Sequence, residues 1–92
     1  MKKSFILNRN EDGYVLKDTN PNRKDEPFRI GAEELKFNTE IFYDYVFKDV
    51  TMDYSIEIQN QLDEQDKIGK IIYKTIDEIA QGVLKKIKQI KY

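Results

Sequence analysis

A chain of 92 residues suits one domain, because at this length roughly 65% of the unfolded surface is buried and a single core is just supported. Its 39% hydrophobic content, six Tyr and five Phe argue against disorder, and 16 Lys and Arg against 17 Asp and Glu exclude the charge excess of a general nucleic-acid binder or mimic. With no Cys and no His, there is no disulfide framework, no thiolate nucleophile, no Cys-based zinc site and no imidazole base.

Met1 to Leu7 begins like a signal peptide. Only Phe5, Ile6 and Leu7 follow the lysines before Asn8 and Arg9, however, against the about 7–15 apolar residues a signal needs. No other run approaches the ~20 residues of a membrane span. The expected location is cytoplasmic.

Phe5, Ile6 and Leu7, then Asn10-Glu11-Asp12-Gly13, then Tyr14, Val15 and Leu16 read as a β-hairpin, with Asp-Gly supplying the positive φ of a tight turn. Residues 18–27 turn abruptly polar, contain both prolines and read as a loop. Phe28, Arg29 and Ile30 suit a short extended piece, and Ala32 to Leu35 a helical turn. In residues 37–47, Phe37, Thr39, Ile41, Tyr43, Tyr45 and Phe47 share one face at period two, and this aromatic and β-branched content favours a strand. The alternative is a helix from about Asn38, with Ile41, Phe42, Tyr45 and Val46 on one side and Tyr43 and Phe47 opposite. Met52, Tyr54, Ile56 and Ile58 alternate with Asp53, Ser55, Glu57 and Gln59, the pattern of a strand with one wet face.

The last third is dominated by Ile68, Ile72, Ile76, Ile79, Val83, Ile87 and Ile90, at steps of four and three residues. They predict one amphipathic helix over 60–91, capped by Asn60, acidic at its start and Lys-rich at its end as the helix dipole prefers. Ile68, Ile79 and Ile90 repeat every 11 residues, so a heptad zipper is not expected. About 30 residues at 1.5 Å give a rod of roughly 45 Å against a domain diameter of roughly 30 Å. Such a rod overshoots the domain or bends, and Gly82 offers a place to break it. With Ile71 on one flank and Tyr73, Ala80 and Leu84 on the other, the apolar arc reaches about 220°, more than a small sheet covers. Gly69, inside the arc, either admits the close approach of another backbone or is an ordinary tolerated glycine.

Catalytic signals are thin. Glu33 with Glu34, or Asp44 with Asp49, are carboxylate pairs without diagnostic spacing, and the nucleotide and EF-hand motifs are absent. The expected fold is α+β: a small antiparallel sheet of three to four strands, packed against one long C-terminal amphipathic helix. All 92 residues form one domain, divided into a hairpin over 1–17, a loop over 18–27, strands with room for a short helix over 28–59, and the long helix. The expected function is that of a non-catalytic protein-binding module without cofactor or metal. Its Ile-, Lys- and Asn-rich usage suits an AT-rich bacterial or phage genome, hence a regulator or steric inhibitor carried by a phage or mobile element. Partner contacts are assigned to the helix flank, Ile71, Tyr73, Ala80 and Leu84, and to Arg23 and Lys24, with a homodimer or a target protein as partner. The alternative is nucleic-acid binding through Lys85, Lys86, Lys88 and Lys91 and the Arg23/Lys24 loop. No membrane role is expected.

Overall fold

A computed structural model describes residues 1–31 and 37–89. In chain order the elements are β1 (Lys2–Asn10), β2 (Gly13–Asp18), β3 (Phe28–Gly31), α1 (Thr39–Phe47), β4 (Ser55–Asn60) and α2 (Lys67–Gln89). The expected turn at Ala32 to Leu35, together with Ile90 and Lys91, lies outside the described residues.

The fold is α+β as expected. β1 and β2 form the predicted hairpin, with Asn10 opposite Gly13. Gly13 takes a φ of 146°, where a side chain would be strained, and Asn10 Oδ1 accepts from the Asp12 amide at 2.9 Å to close the turn. β3 adds antiparallel to β2, while β4 lies parallel to β1 on its other side, giving the order β3-β2-β1-β4. The sheet is therefore mixed rather than antiparallel. A parallel pair needs a crossover of a dozen or more residues, and the stretch through α1 supplies it.

That crossover depends on residues 39–47 being helical, which corrects the preferred strand reading. Asn38 is the N-cap, in extended conformation, and its Oδ1 accepts from the Ile41 amide at 3.2 Å. Phe42, Tyr45 and Val46 then fall at helical spacing and are buried together. Phe42 is central, with its ring centroid 5.7 Å from Phe28, 5.1 Å from Phe37 and 6.2 Å from Phe47. Such tilted and edge-on contacts are the preferred aromatic geometries. Lys48 and Asp49 end the helix in a tight turn closed by the Val50 amide on the Phe47 carbonyl, with Asp49 left-handed at φ 64°. Lys3 Nζ donates to the Lys48 carbonyl at 2.6 Å.

Phe5, Leu7, Tyr14, Leu16, Phe28, Ile30, Ile56 and Ile58 alternate onto one face of the sheet and join the buried side chains of both helices in one core. The helices thus share that face. The opposite face is left to Lys2, Ser4, Ile6, Asn8, Val15, Lys17, Arg29, Glu57 and Gln59, exposed or half-buried. β4 starts later than the alternation from Met52 implied: Met52 is exposed, and Tyr54 half-buried ahead of the strand.

α2 starts at Lys67, not Asn60, and runs unbroken through Gly82. The side chains of Asn60 and Asp63 instead accept from the amides of Leu62 and Gln65, local turns that compete with helix. The cap is Asp66, whose Oδ1 accepts from the Gly69 amide at 2.8 Å. Its buried track is Gly69, Ile72, Ile76, Ala80 and Leu84. Full burial of one such side chain as large as Ile76 contributes roughly 1.5–3 kcal/mol. Gly69 does sit in a close approach, but to its own preceding turn: a Cβ there would lie 2.6 Å from Leu62 Cδ1. Gln81 Nε2 donates at 2.8 Å to the Ile56 carbonyl, occupying one acceptor on the edge strand β4.

Candidate partner-binding surface on the two helices

The polar residues that could suggest chemistry are largely committed to structure. Arg23, on the 18–27 loop, has a side chain only 11% exposed. Its Nη1 donates to Asp18 Oδ2 at 3.1 Å and to the Tyr45 carbonyl at 2.6 Å, its Nε donates to Asp25 at 3.3 Å, and its guanidinium lies 3.9 Å over the Tyr45 ring. The Tyr45 hydroxyl accepts from the Asp18 amide at 2.6 Å, and burial pushes its pKa up. Burial also lowers the pKa of Lys3. These groups fasten the loop to α1.

A second cluster fastens α2. Tyr14 donates its hydroxyl to both Asp66 oxygens, at 2.8 and 3.0 Å, and Arg9 Nη1 reaches the same carboxylate at 3.2 Å. The Gly69 amide first, then the Tyr14 hydroxyl, hold Asp66 below the ordinary carboxylate range. Burial, reinforced by Asp66, raises Tyr14. Among the described residues, no group of three or more acidic side chains is placed to hold a metal ion.

The residues expected to meet a partner are dispersed. Ala80 and Leu84 are in the core, Tyr73 is half-buried against it, and Ile71 is 66% exposed. Arg23 is internally bound, whereas its neighbour Lys24 is exposed. Lys85, Lys86 and Lys88 are exposed along the end of α2, and Lys91 lies outside the described residues. Asp44 is exposed on α1, and Asp49 stands in the turn beyond it. Tyr43 and Tyr45 sit on α1, and among the described residues the open sheet face carries no aromatic side chain.

Two exposed apolar patches stand out instead. On α1, Ile41 is 54% and Tyr43 39% exposed. They flank Glu40, Asp44 and the half-buried Phe47, whose ring centroid is 5.8 Å from that of Tyr43. Beside them an open depression of about 690 Å³ is lined by Ile41, Tyr43, Phe47, Asp44, Arg23 and Lys48 among others. On the first turns of α2, Ile68 is 52% exposed and stands with Ile71 among exposed Lys67, Lys70 and Lys74. The helical alternative for 37–47 set Tyr43 opposite the core side but grouped Ile41 with Phe42, Tyr45 and Val46, and the structure corrects that placement by leaving Ile41 outside the core.

Charge is segregated along the chain in the same sense. Residues 1–66 hold nine Lys and Arg against fifteen Asp and Glu, whereas residues 67–92 hold seven against two, so a net −6 precedes a net +5. Among the described residues, no helix is long and apolar enough to cross a membrane. No family model, curated protein or solved structure matches the chain.

Proposed function

We propose that this chain is a small non-catalytic protein-binding module, a regulator or steric inhibitor that meets its protein partner through the outward face of α1. The observation that carries the reading is the exposure of Ile41 and Tyr43 beside the 690 Å³ depression. Ile41 and Tyr43 stand on either side of Glu40 and Asp44 and both line the depression, and a tyrosine at the edge of a concavity is a favoured anchor because it buries a large rigid ring while its hydroxyl stays satisfied. Arg23, Asp25 and Lys48 rim the depression with charge that orients a partner without dominating its affinity. The non-catalytic part rests on the two titratable clusters, whose side chains are engaged in holding the loop and the α2 cap.

The test is affinity capture from nuclease-treated lysate of the source cell, comparing the native chain with a folded Ile41→Glu/Tyr43→Ala variant. A discrete protein retained by the first and lost by the second supports the reading. Equal retention by both refutes it. A nucleic-acid reading draws on one further observation: Lys67, Lys70 and Lys74 near the start of α2 and Lys85 and Lys88 near its end lie on one side of the helix over about 30 Å, with Asp77 and Glu78 between the two groups on the same side. Binding to duplex phosphates through four or five of these would weaken with salt at a log-log slope of about −4, and no retention on duplex DNA at low salt would end that reading.

A further inference from the structure

Resting on the protein-binding reading, we infer that the partner of the α1 patch is a second copy of this chain, presenting the first turns of its α2. Apart from Met1 and Met52, the exposed large apolar side chains among the described residues form two pairs, Ile41 with Tyr43 and Ile68 with Ile71. The first pair is interleaved with carboxylates, Glu40 and Asp44. The second is interleaved with ammonium groups, Lys67, Lys70 and Lys74. Within each patch the key charges are four residues apart, Glu40 to Asp44 and Lys70 to Lys74, one helical turn or about 6 Å. The two rows therefore match in pitch as well as in sign. Among the described residues, no ion pair engages any of these five charged groups.

Both helices lie on the same face of the sheet, so a two-fold pairing brings α1 of each protomer against α2 of the other. One contact over three turns falls short of the ~800 Å² per partner of a stable interface, and the two-fold axis doubles it without needing a new surface. Each α1 depression then receives Ile68 and Ile71 of the other copy, while Asp44 on its lining and Glu40 one turn before it meet the lysines; Arg23 and Lys48, which also line it, are already paired with Asp18 and Asp25. The segregation of net −6 and net +5 between the two parts of the chain acts in the same direction, because it attracts unlike parts of two copies and repels like ones.

The experiment is sedimentation equilibrium of the full chain at low salt, with two charge-altered variants whose folding is confirmed by circular dichroism. In one, Lys70→Glu and Lys74→Glu make both patches acidic. In the other, Asp44→Lys with Glu40→Gln makes both basic, while sparing the first turn of α1 a positive charge. The native chain is expected to dimerise, and each variant alone to associate at least tenfold more weakly. An equimolar mixture of the variants is expected to recover a one-to-one dimer, since the unlike patches then face each other in both contacts. A native chain that stays monomeric at millimolar concentration, a dimer indifferent to both charge changes, or a mixture that does not associate would each overturn the inference. If the native chain is monomeric yet still captures another protein through Ile41 and Tyr43, the second copy is excluded and the protein-binding reading stands. If it is monomeric and Lys70→Glu/Lys74→Glu instead abolishes retention on duplex DNA, the basic patch serves phosphates.

Discussion

Replacing Arg23 by Ala should cost about 3 kcal/mol of stability, because the side chain closes a buried network instead of serving as a free cation on a mobile loop. Removing it leaves the Asp18 carboxylate, whose side chain is 7% exposed, with the Asn20 amide at 2.9 Å as its remaining hydrogen-bond donor. Orphaning one member of a fully buried pair costs about 3–5 kcal/mol, and the partial access of water around an 11% exposed guanidinium places this site at or below the low end. The unsatisfied Tyr45 carbonyl and the lost cation–π contact, 3.9 Å above the ring, add about 1 kcal/mol together at such a partly wet site. For a chain of this size a loss of about 3 kcal/mol lowers the midpoint by about 12–24 °C. Thermal and urea unfolding followed by circular dichroism measure it, with Lys24→Ala as an exposed control expected within about 0.5 kcal/mol of the native chain. Arg23→Lys should fall between the two, since it keeps a charge but loses the planar fork and the stacking. An Arg23→Ala variant within about 0.5 kcal/mol of native would refute the network and return Arg23 to the surface.

Three other outcomes follow from local geometry. Asp49→Gly should stabilise by about 0.5 kcal/mol, because the left-handed φ of 64° suits glycine, while Asp49→Val should destabilise; urea midpoints decide, and a destabilised glycine variant would contradict the turn. Gly82→Ala should stabilise by about 0.5–1 kcal/mol, since a Cβ there meets nothing within 4 Å and the helix passes straight through, and a loss in thermal midpoint would show that α2 needs a glycine at that point. Asp66 is held below its ordinary value of 3.8 by the Gly69 amide and the Tyr14 hydroxyl, so its stabilising contribution is present above that value and lost as pH falls through the lower folded-state value. Urea midpoints of the native chain should therefore fall more steeply below pH 3.8 than those of Asp66→Asn, and parallel curves would sink this account.

The hairpin, the alternation at Ile56 and Ile58 and the terminal helix were legible because each rests on local rules: Asp-Gly chemistry, period two, and a long run at helical spacing. Residues 37–47 were misleading for a physical reason. Their apolar side chains satisfy period two and period 3.6 almost equally, and nine helical residues are too few for periodicity to separate them. What settles the matter is tertiary, the packing of Phe42 among Phe28, Phe37 and Phe47, together with the Asn38 cap. The same misreading concealed the crossover, and with it the parallel pairing of β1 and β4. At the site, Ile71 was legible as a flank residue and Tyr43 was set opposite the core by the helical alternative, whereas that alternative grouped Ile41 with the core side and the structure leaves it 54% exposed. Arg23 lay in a polar loop, where nothing local distinguishes a solvated cation from one drawn under an aromatic ring.

The wide apolar arc of α2 suggested a second chain, but the sheet itself uses most of it. At 100° per residue, Ile72 and Leu84 point about 120° apart, and both are buried. The buried track therefore swings around the 23-residue helix along its length, as expected of a helix packed on a twisted sheet. Residues on either side of the moving track, Tyr73, Ile79, Val83 and Ile87, are left half-buried rather than free. Drift of the track across a twisted sheet explains an arc too broad for one flat face without any partner. It also localises what the core leaves uncovered: near the start of α2, Ile68 and Ile71 lie off the track and remain exposed. Among the described residues, the exposed isoleucines of α2 are thus confined to its first turns, where exposed lysines are their neighbours, and a change of charge there leaves the core intact.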